Sequence, residues 1–205
     1  MQVFLETRRL VLRRFTMADV DNLVSLDADP GVMHFVTGGI PTDRDEIENE
    51  ILPGFLGYYE QFEGYGFWAA IEKATGEFLG WFHFRPREGA GPGEAELGYR
   101  LHRSAWGKGY ATEGSRALIS KGFTDFGVQR VVAETMVVHA ASRRVMEKAG
   151  LTLVRTFHAD WPYPIEGGEL GDVEYALDRA EWERRRRAAR AGPGTAGRYG
   201  HDRLL

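Results

Sequence analysis

The chain has 205 residues, no cysteine and a formal net charge of −4. That length holds one good core within single-domain range, and the missing cysteines exclude disulfides, cysteine nucleophiles and thiolate metal sites together. With no apolar run near membrane-spanning length and no basic-then-apolar start, a cytoplasmic protein is expected, and the negative balance argues against general nucleic-acid binding.

In chain order, residues 5–15 read as an opening strand. Thr16, Met17, Ala18 and Asp19 then look like a helix cap and entry, with the helix running to about Asp29. Residues 42–62 form a second helical region, broken near Pro53 and Gly54. Residues 66–72 and 77–85 read as a hairpin joined through residues 73–76. A glycine-bearing loop at 89–93 leads to a strand over 95–101. Next come a helix over about 108–126 with Gly127 as its stop, a strand over 130–137, a helix over 139–150 and a strand over 151–157. Strands first, then alternating helix and strand, imply a mixed sheet covered on both faces. From Glu181 onward, Arg184, Arg185, Arg186, Arg187 and a glycine-rich stretch predict a fraying helix and a basic, disordered tail over 181–205. That tail raises a rival idea, contact with nucleic acid or the ribosome, although terminal charge runs are more often solvated.

The most informative stretch is 100–113, a strand end, a glycine-bearing turn and a helix start. Gly107 and Gly109 let the backbone approach a ligand closely, and the helix start aims unpaired N–H groups and a positive dipole end at the turn. Such a turn binds phosphate, and Lys108 adds charge beside it. The spacing is neither that of a P-loop nor that of a dinucleotide fingerprint.

Trp106, Gly107, Lys108, Gly109, Tyr110 and Ala111, with Glu113 behind them, resemble the pyrophosphate loop of the Gcn5-related N-acetyltransferase (GNAT) superfamily. His139 through Ser142 and the Glu147–Gly150 helix end resemble that family's second signature, and residues 5–15 the opening strand of its ribosomal-protein and small-amine branch. The resemblance covers residues 5 to about 178. Trp106 departs from the usual Gln or Arg, and His139 from the usual Asn.

The resemblance implies one domain over 5–180 with the α/β (α+β) GNAT fold. Its six- to seven-stranded, mostly antiparallel sheet would be split between the fourth and fifth strands, with helices on both faces. It implies acetyl-CoA as co-substrate, a primary amine of a small molecule or protein N-terminus as acceptor, no metal, and a monomer or homodimer. A ribosomal protein stays open as acceptor. The pantetheine arm is expected on the backbone of Arg100, Leu101 and His102. The pyrophosphate is expected on the N–H groups of Gly107 to Thr112, with His139 and Ser142 also touching the cofactor. Direct amine attack needs a base, an oxyanion site and a thiolate donor. Glu96 is the first choice of base, its pKa raised by partial burial, ahead of Glu94 and His83; a strand-edge carboxylate paired with an arginine explains Glu96 equally well. Ser142 is the candidate thiolate donor, since no tyrosine falls at the expected place. Trp68, Trp81, His83, Trp161 and Tyr163 are expected to wall the acceptor pocket. The alternative function is a non-catalytic acyl-CoA sensor or interaction protein.

Overall fold

The computed structural model describes residues 2–87, 89–91 and 93–191. Eight strands form one sheet: β1 (Val3–Glu6), β2 (Leu10–Arg14), β3 (Gly66–Glu72), β4 (Phe78–Pro86), β5 (Glu94–Leu101), β6 (Arg130–Met136), β7 (Thr152–Phe157) and β8 (Asp172–Asp178). Their order is β1-β2-β3-β4-β5-β6-β8-β7. Every pairing is antiparallel except β5 with β6.

Eight strands replace the expected six or seven for two reasons. The opening segment is a hairpin, because the Thr7 hydroxyl accepts the amides of Arg9 and Leu10 and turns the chain. And β8 lies between β6 and β7, buried nearly throughout. The buried carboxylates of Asp172 and Glu174 interrupt its apolar run and disguise it in the sequence.

The helices are α1 (Val20–Asp27), α2 (Pro30–Thr37), α3 (Arg44–Glu46), α4 (Leu52–Gln61), α5 (Tyr110–Asp125), α6 (Ala140–Ala149) and α7 (Arg179–Ala191). The first helix therefore stops short of Asp29, which instead caps α2: its side chain accepts the Gly31 amide at 2.8 Å, with Pro30 in the first turn. Pro53 and Gly54 break nothing. They lie inside α4, and the irregularity is a wide π-turn at Ile47–Ile51 just before it.

One sheet face carries Leu12, Trp68, Phe82, Phe84, Leu97, Val131 and Tyr175 against Leu118, Ile119 and Phe123 of α5 and Met146 of α6. The other carries Phe67, Ala69 and Trp81 under Leu23 and Leu26 of α1, Ile47 of the turn before α4, and Leu52 of α4. Past β4 this second face turns from apolar to charged. Arg87 there binds Glu94, Glu134 and Glu174, while Arg85 binds Glu96.

The basic C-terminal segment is a helix through Ala191 rather than a fraying start. Trp182 packs on Phe123, Arg186 covers the Trp182 ring, and Glu181 and Glu183 pair with Arg184, Arg185 and Arg187. All four arginines of the run thus have partners within α7. The disorder expected over 192–205 lies outside the described residues.

Candidate active site

Between β5 and α5 the chain makes the predicted turn. Gly107 and Gly109 sit at φ 71° and 82°, the left-handed region that favours glycine. Beyond Gly107 a side chain would meet open space; at Gly109 it would meet Arg9 Nη2 at 3.4 Å. Backbone bonding at the start of α5 begins with the Glu113 amide on the Gly109 carbonyl. Among the described residues the amides of Gly107 to Thr112 make no such bond.

Glu113 is the anchor of this turn. Its carboxylate accepts the Thr7 hydroxyl at 2.6 Å, the Arg9 amide at 2.9 Å and Arg9 Nε at 2.7 Å. Arg9 also donates to the Lys108 carbonyl and lies over the Tyr110 ring. Trp106, half exposed, donates its indole N–H to the Leu101 carbonyl at 2.8 Å, tying the turn to the end of β5. Arg9, Thr112, Arg116 and Lys148 line a concavity of about 580 Å³ beside the helix start.

The sheet parts next to the turn. β5 and β6 pair only at Glu94–Arg130, Ala95–Val131 and Glu96–Val132, although both strands continue. Antiparallel partners expose alternate residues to alternate edges. Arg87 and His102 donate their amides to Glu94 and Leu79, so the backbones of Arg100 and His102 serve β4. Those of Leu97, Tyr99 and Leu101 face the opening instead. This corrects the expected pantetheine contacts at Arg100 and His102, a parity that sequence alone does not reveal.

Tyr99 is the functional candidate that sequence reasoning missed. Its hydroxyl lies 3.1 Å from both the carbonyl oxygen and Oγ of Ser142, the buried serine in the first turn of α6. Burial pushes the phenol above its ordinary value, so it stays protonated. In the sequence it alternates with Leu97 and Leu101 and reads as core. Above it, His139 stacks on Phe35 of α2 at 4.0 Å, and burial, then the nearby His34, lowers its pKa to about 4. His34, Phe35, Arg103, Trp106 and His139 line a cleft of about 660 Å³.

The acceptor candidates separate. Trp68 is no pocket wall: it is 1% exposed and stacked on Phe4 at 3.6 Å, on the α5 side of the sheet. Trp81 lies on the opposite face, mostly buried, with Arg100 over its ring and Arg100 held at 2.7 Å by buried Asp27. Trp161 and Tyr163 are half exposed on the β7–β8 loop; the Trp161 indole N–H donates to Asp172. That loop lies close to both Gly38 at the end of α2 and Val138 before α6, too close for a Cβ on Gly38 or Gly167.

Glu96 does not have the raised pKa expected of it. Burial pushes its carboxyl up, but His83 and the Arg85 guanidinium outweigh this and bring it down to about 2. Arg85 donates to both carboxylate oxygens at 3.0 and 3.1 Å. Glu94, the second choice, is bound by Arg87.

A left-handed turn feeding a helix N-terminus, beside a parted sheet, is compatible with an acyl-CoA-dependent acyltransferase. A model of the acetyltransferase (GNAT) domain matches residues 9–152. FsC-acetyl coenzyme A-N(2)-transacetylase of Aspergillus fumigatus is 35% identical over 196 residues, 89% of this chain and 79% of that protein. The GNAT-family acetyltransferase of Bacillus anthracis superposes with a TM-score of 0.72 at 21% identity, covering 88% of this chain and 100% of that one. Aminoglycoside acetyltransferase AAC(6')-Ib, solved in complex with coenzyme A, gives a TM-score of 0.69 at 22% identity over 86% and 99% of the two chains. The chain belongs to the GNAT acetyltransferase family, and it is an N-acetyltransferase that takes its acetyl group from acetyl-CoA. Among the described residues no helix is long and apolar enough to cross a membrane.

Proposed function

We propose that the protein acetylates the primary amine of a small molecule by direct attack on the acetyl thioester, with residues 5–180 as the catalytic unit. The observation that carries this reading is the gap beyond Glu96 and Val132, with partner-free amides at its mouth and the Tyr99–Ser142 pair inside. The amides of Gly107 to Thr112 fit a diphosphate, and Arg116 and Lys148 add positive charge alongside. The backbone edge of Leu97 and Tyr99, with the Leu101 amide, fits an amide-bearing arm laid along it like an added strand; the Leu101 carbonyl is taken by Trp106. Bound acetyl-CoA supplies an activated thioester. Tyr99 and Ser142 then protonate the departing thiolate, a role for which a phenol held neutral is suited.

The acceptor reaches the opening from the face that carries Trp81, His83 and Arg100, with Trp161 and Tyr163 at its rim. Likeness to an enzyme named for an N(2) amine supports a small-molecule acceptor over a ribosomal protein. Incubation with acetyl-CoA and a panel of FsC, a polyamine, an aminoglycoside and an N-terminal peptide, following free coenzyme A, tests this. Turnover on a small amine is expected. Turnover on the peptide alone would move the acceptor to proteins. Calorimetric binding of acetyl-CoA without any turnover would favour a sensor.

A further inference from the structure

His83 is a buried histidine with an unexplained nitrogen. It stands mid-strand on β4, its side chain 12% exposed, between the aromatic rings of Phe67 and Trp81. Its Nε2 is out of reach of solvent and makes no hydrogen bond among the described residues, though Glu96 Oε1 lies 3.3 Å away. Nδ1 is not closed off in this way, so Nε2 carries the hydrogen toward the Glu96 carboxylate and Nδ1 keeps its lone pair.

The neighbouring strand shows where the ring leans. Gly98 is the cross-strand partner of His83, and a Cβ there would stand 2.4 Å from Cε1 and 2.6 Å from Nε2. The imidazole therefore crosses over the backbone of β5, in space that only glycine leaves open. Gly98 lies two residues past Glu96, the last position where β5 pairs with β6. Glu134 stands two residues past Val132 on the far side of the same gap. The ring tip thus overhangs β5 at the point where the sheet has opened.

We infer that His83 Nδ1 accepts the proton of the acceptor ammonium, with Glu96, beside Nε2, as the carboxylate that orients the ring. This rests on the acetyl-transfer reading above and names its base. The ammonium nitrogen gives one proton to Nδ1, and its freed lone pair attacks the thioester carbonyl carbon. The tetrahedral oxyanion collapses as the C–S bond breaks. The nitrogen gives up a second proton to solvent and keeps the third as the new amide N–H, while the Tyr99–Ser142 pair protonates the thiolate and regains its proton from solvent, so that coenzyme A departs as the thiol. His83 then returns its proton to solvent.

The surrounding charges favour this division of labour. Burial first, then Arg85 and Arg100, hold His83 below its ordinary pKa against the opposite pull of Glu96, so the ring is neutral and able to accept. Glu96 itself, tied to Arg85, is too weak a base, and an imidazole lies far closer to an ammonium. Glu134, across the gap, is bound to Arg87, and Phe67 and Trp81 bring no charge.

Two independent measurements test the assignment. The imidazole signals of His83, followed by NMR in the intact protein, should shift when coenzyme A saturates it, and the His83 titration should move in Glu96→Gln. With whichever panel amine turns over, His83→Gln should cut kcat by about a hundredfold at pH 7, in the range of a lost general base. The deficit should shrink at high pH, and the calorimetric Kd for coenzyme A should stay within about twofold. Gly98→Ala, which displaces the ring and leaves its chemistry intact, should show the same kcat loss with the same Kd. An unshifted imidazole, or a His83→Gln pH profile parallel to wild type, overturns the assignment while leaving acetyl transfer in place. Failure of the wild-type protein to bind coenzyme A overturns both.

Discussion

At Gly109 the backbone turns through φ 82° directly into α5, and the amides of the turn are presented only in that geometry. A β-branched residue resists the left-handed region, at a cost of about 1–3 kcal/mol. Gly109→Val should therefore weaken coenzyme A binding by at least about tenfold, read by calorimetry; unchanged affinity would displace the phosphate from this turn. Tyr99 and Ser142 make a second test, because they are proposed to act as one donor. Tyr99→Phe and Ser142→Ala should each lower kcat by about tenfold or more with little change in KM. The double variant should lose hardly more than either single one, since residues acting as a unit are not additive. Fully additive losses would show that the two hydroxyls work separately. The cradle was legible because Gly107 and Gly109 announce positive φ. Tyr99 was not, because a tyrosine between Leu97 and Leu101 follows the apolar alternation of the strand and its hydroxyl's partner comes 43 residues later. For Glu96 the sequence left a base and an arginine-paired strand carboxylate equally open, because it does not show that Arg85 and His83 converge on it.

The elements that position the site depend on one close approach. Gly114 and Gly122 of α5 lie against Phe82 and Phe84 of β4, and a Cβ on Gly114 would stand 2.3 Å from the Phe82 ring. In an open helix, Gly→Ala stabilises by roughly 0.4–1 kcal/mol. Here the fully buried ring has nowhere to go, so overpacking wins and Gly114→Ala should destabilise by about 1–3 kcal/mol in chemical denaturation. Unchanged or raised stability would mean that α5 can lift off the sheet without loss. Sequence reading located α5, α6 and the six strands from β2 to β7 closely, although β3 is buried on both faces over most of its length and β7 is exposed almost throughout. It missed α2, whose signal is a cap: Asp29 before Pro30 marks a helix start, and reading the first helix on to Asp29 hides it. It also missed β8, which is interior to the sheet and so lacks the alternation of a half-exposed strand.

Across the whole molecule, a net charge of −4 says little about where the charges lie. On the sheet face past β4, Glu134 and Glu174 sit directly opposite each other on paired strands. Like charges so placed repel, and Arg87 bridging both offsets that repulsion. Glu96 gives this face its pH dependence. Its folded pKa of about 2 lies below the ordinary value of 4.5, so its stabilisation is complete above about 4.5 and is lost as pH falls toward 2. The effect is on the order of 3 kcal/mol in full, and about 2 kcal/mol is gone by pH 3. His83 acts in the same direction at higher pH: its folded pKa is depressed, so its neutral burial favours folding above 6.5 and loses ground as acid protonates the unfolded chain. Glu134 has the opposite sign, since burial raises its pKa and acid relieves its burial as a charge. The melting temperature should therefore fall steeply between pH 5 and pH 3, with roughly 5 °C attributable to Glu96 at 2–4 °C per kcal/mol. Glu96→Gln should melt lower than wild type at pH 7, because Arg85 loses its partner, yet change less on acidification. Calorimetric scans at pH 7, 5 and 3 decide the matter: a wild-type slope retained in Glu96→Gln would place the acid-labile charge elsewhere on this face.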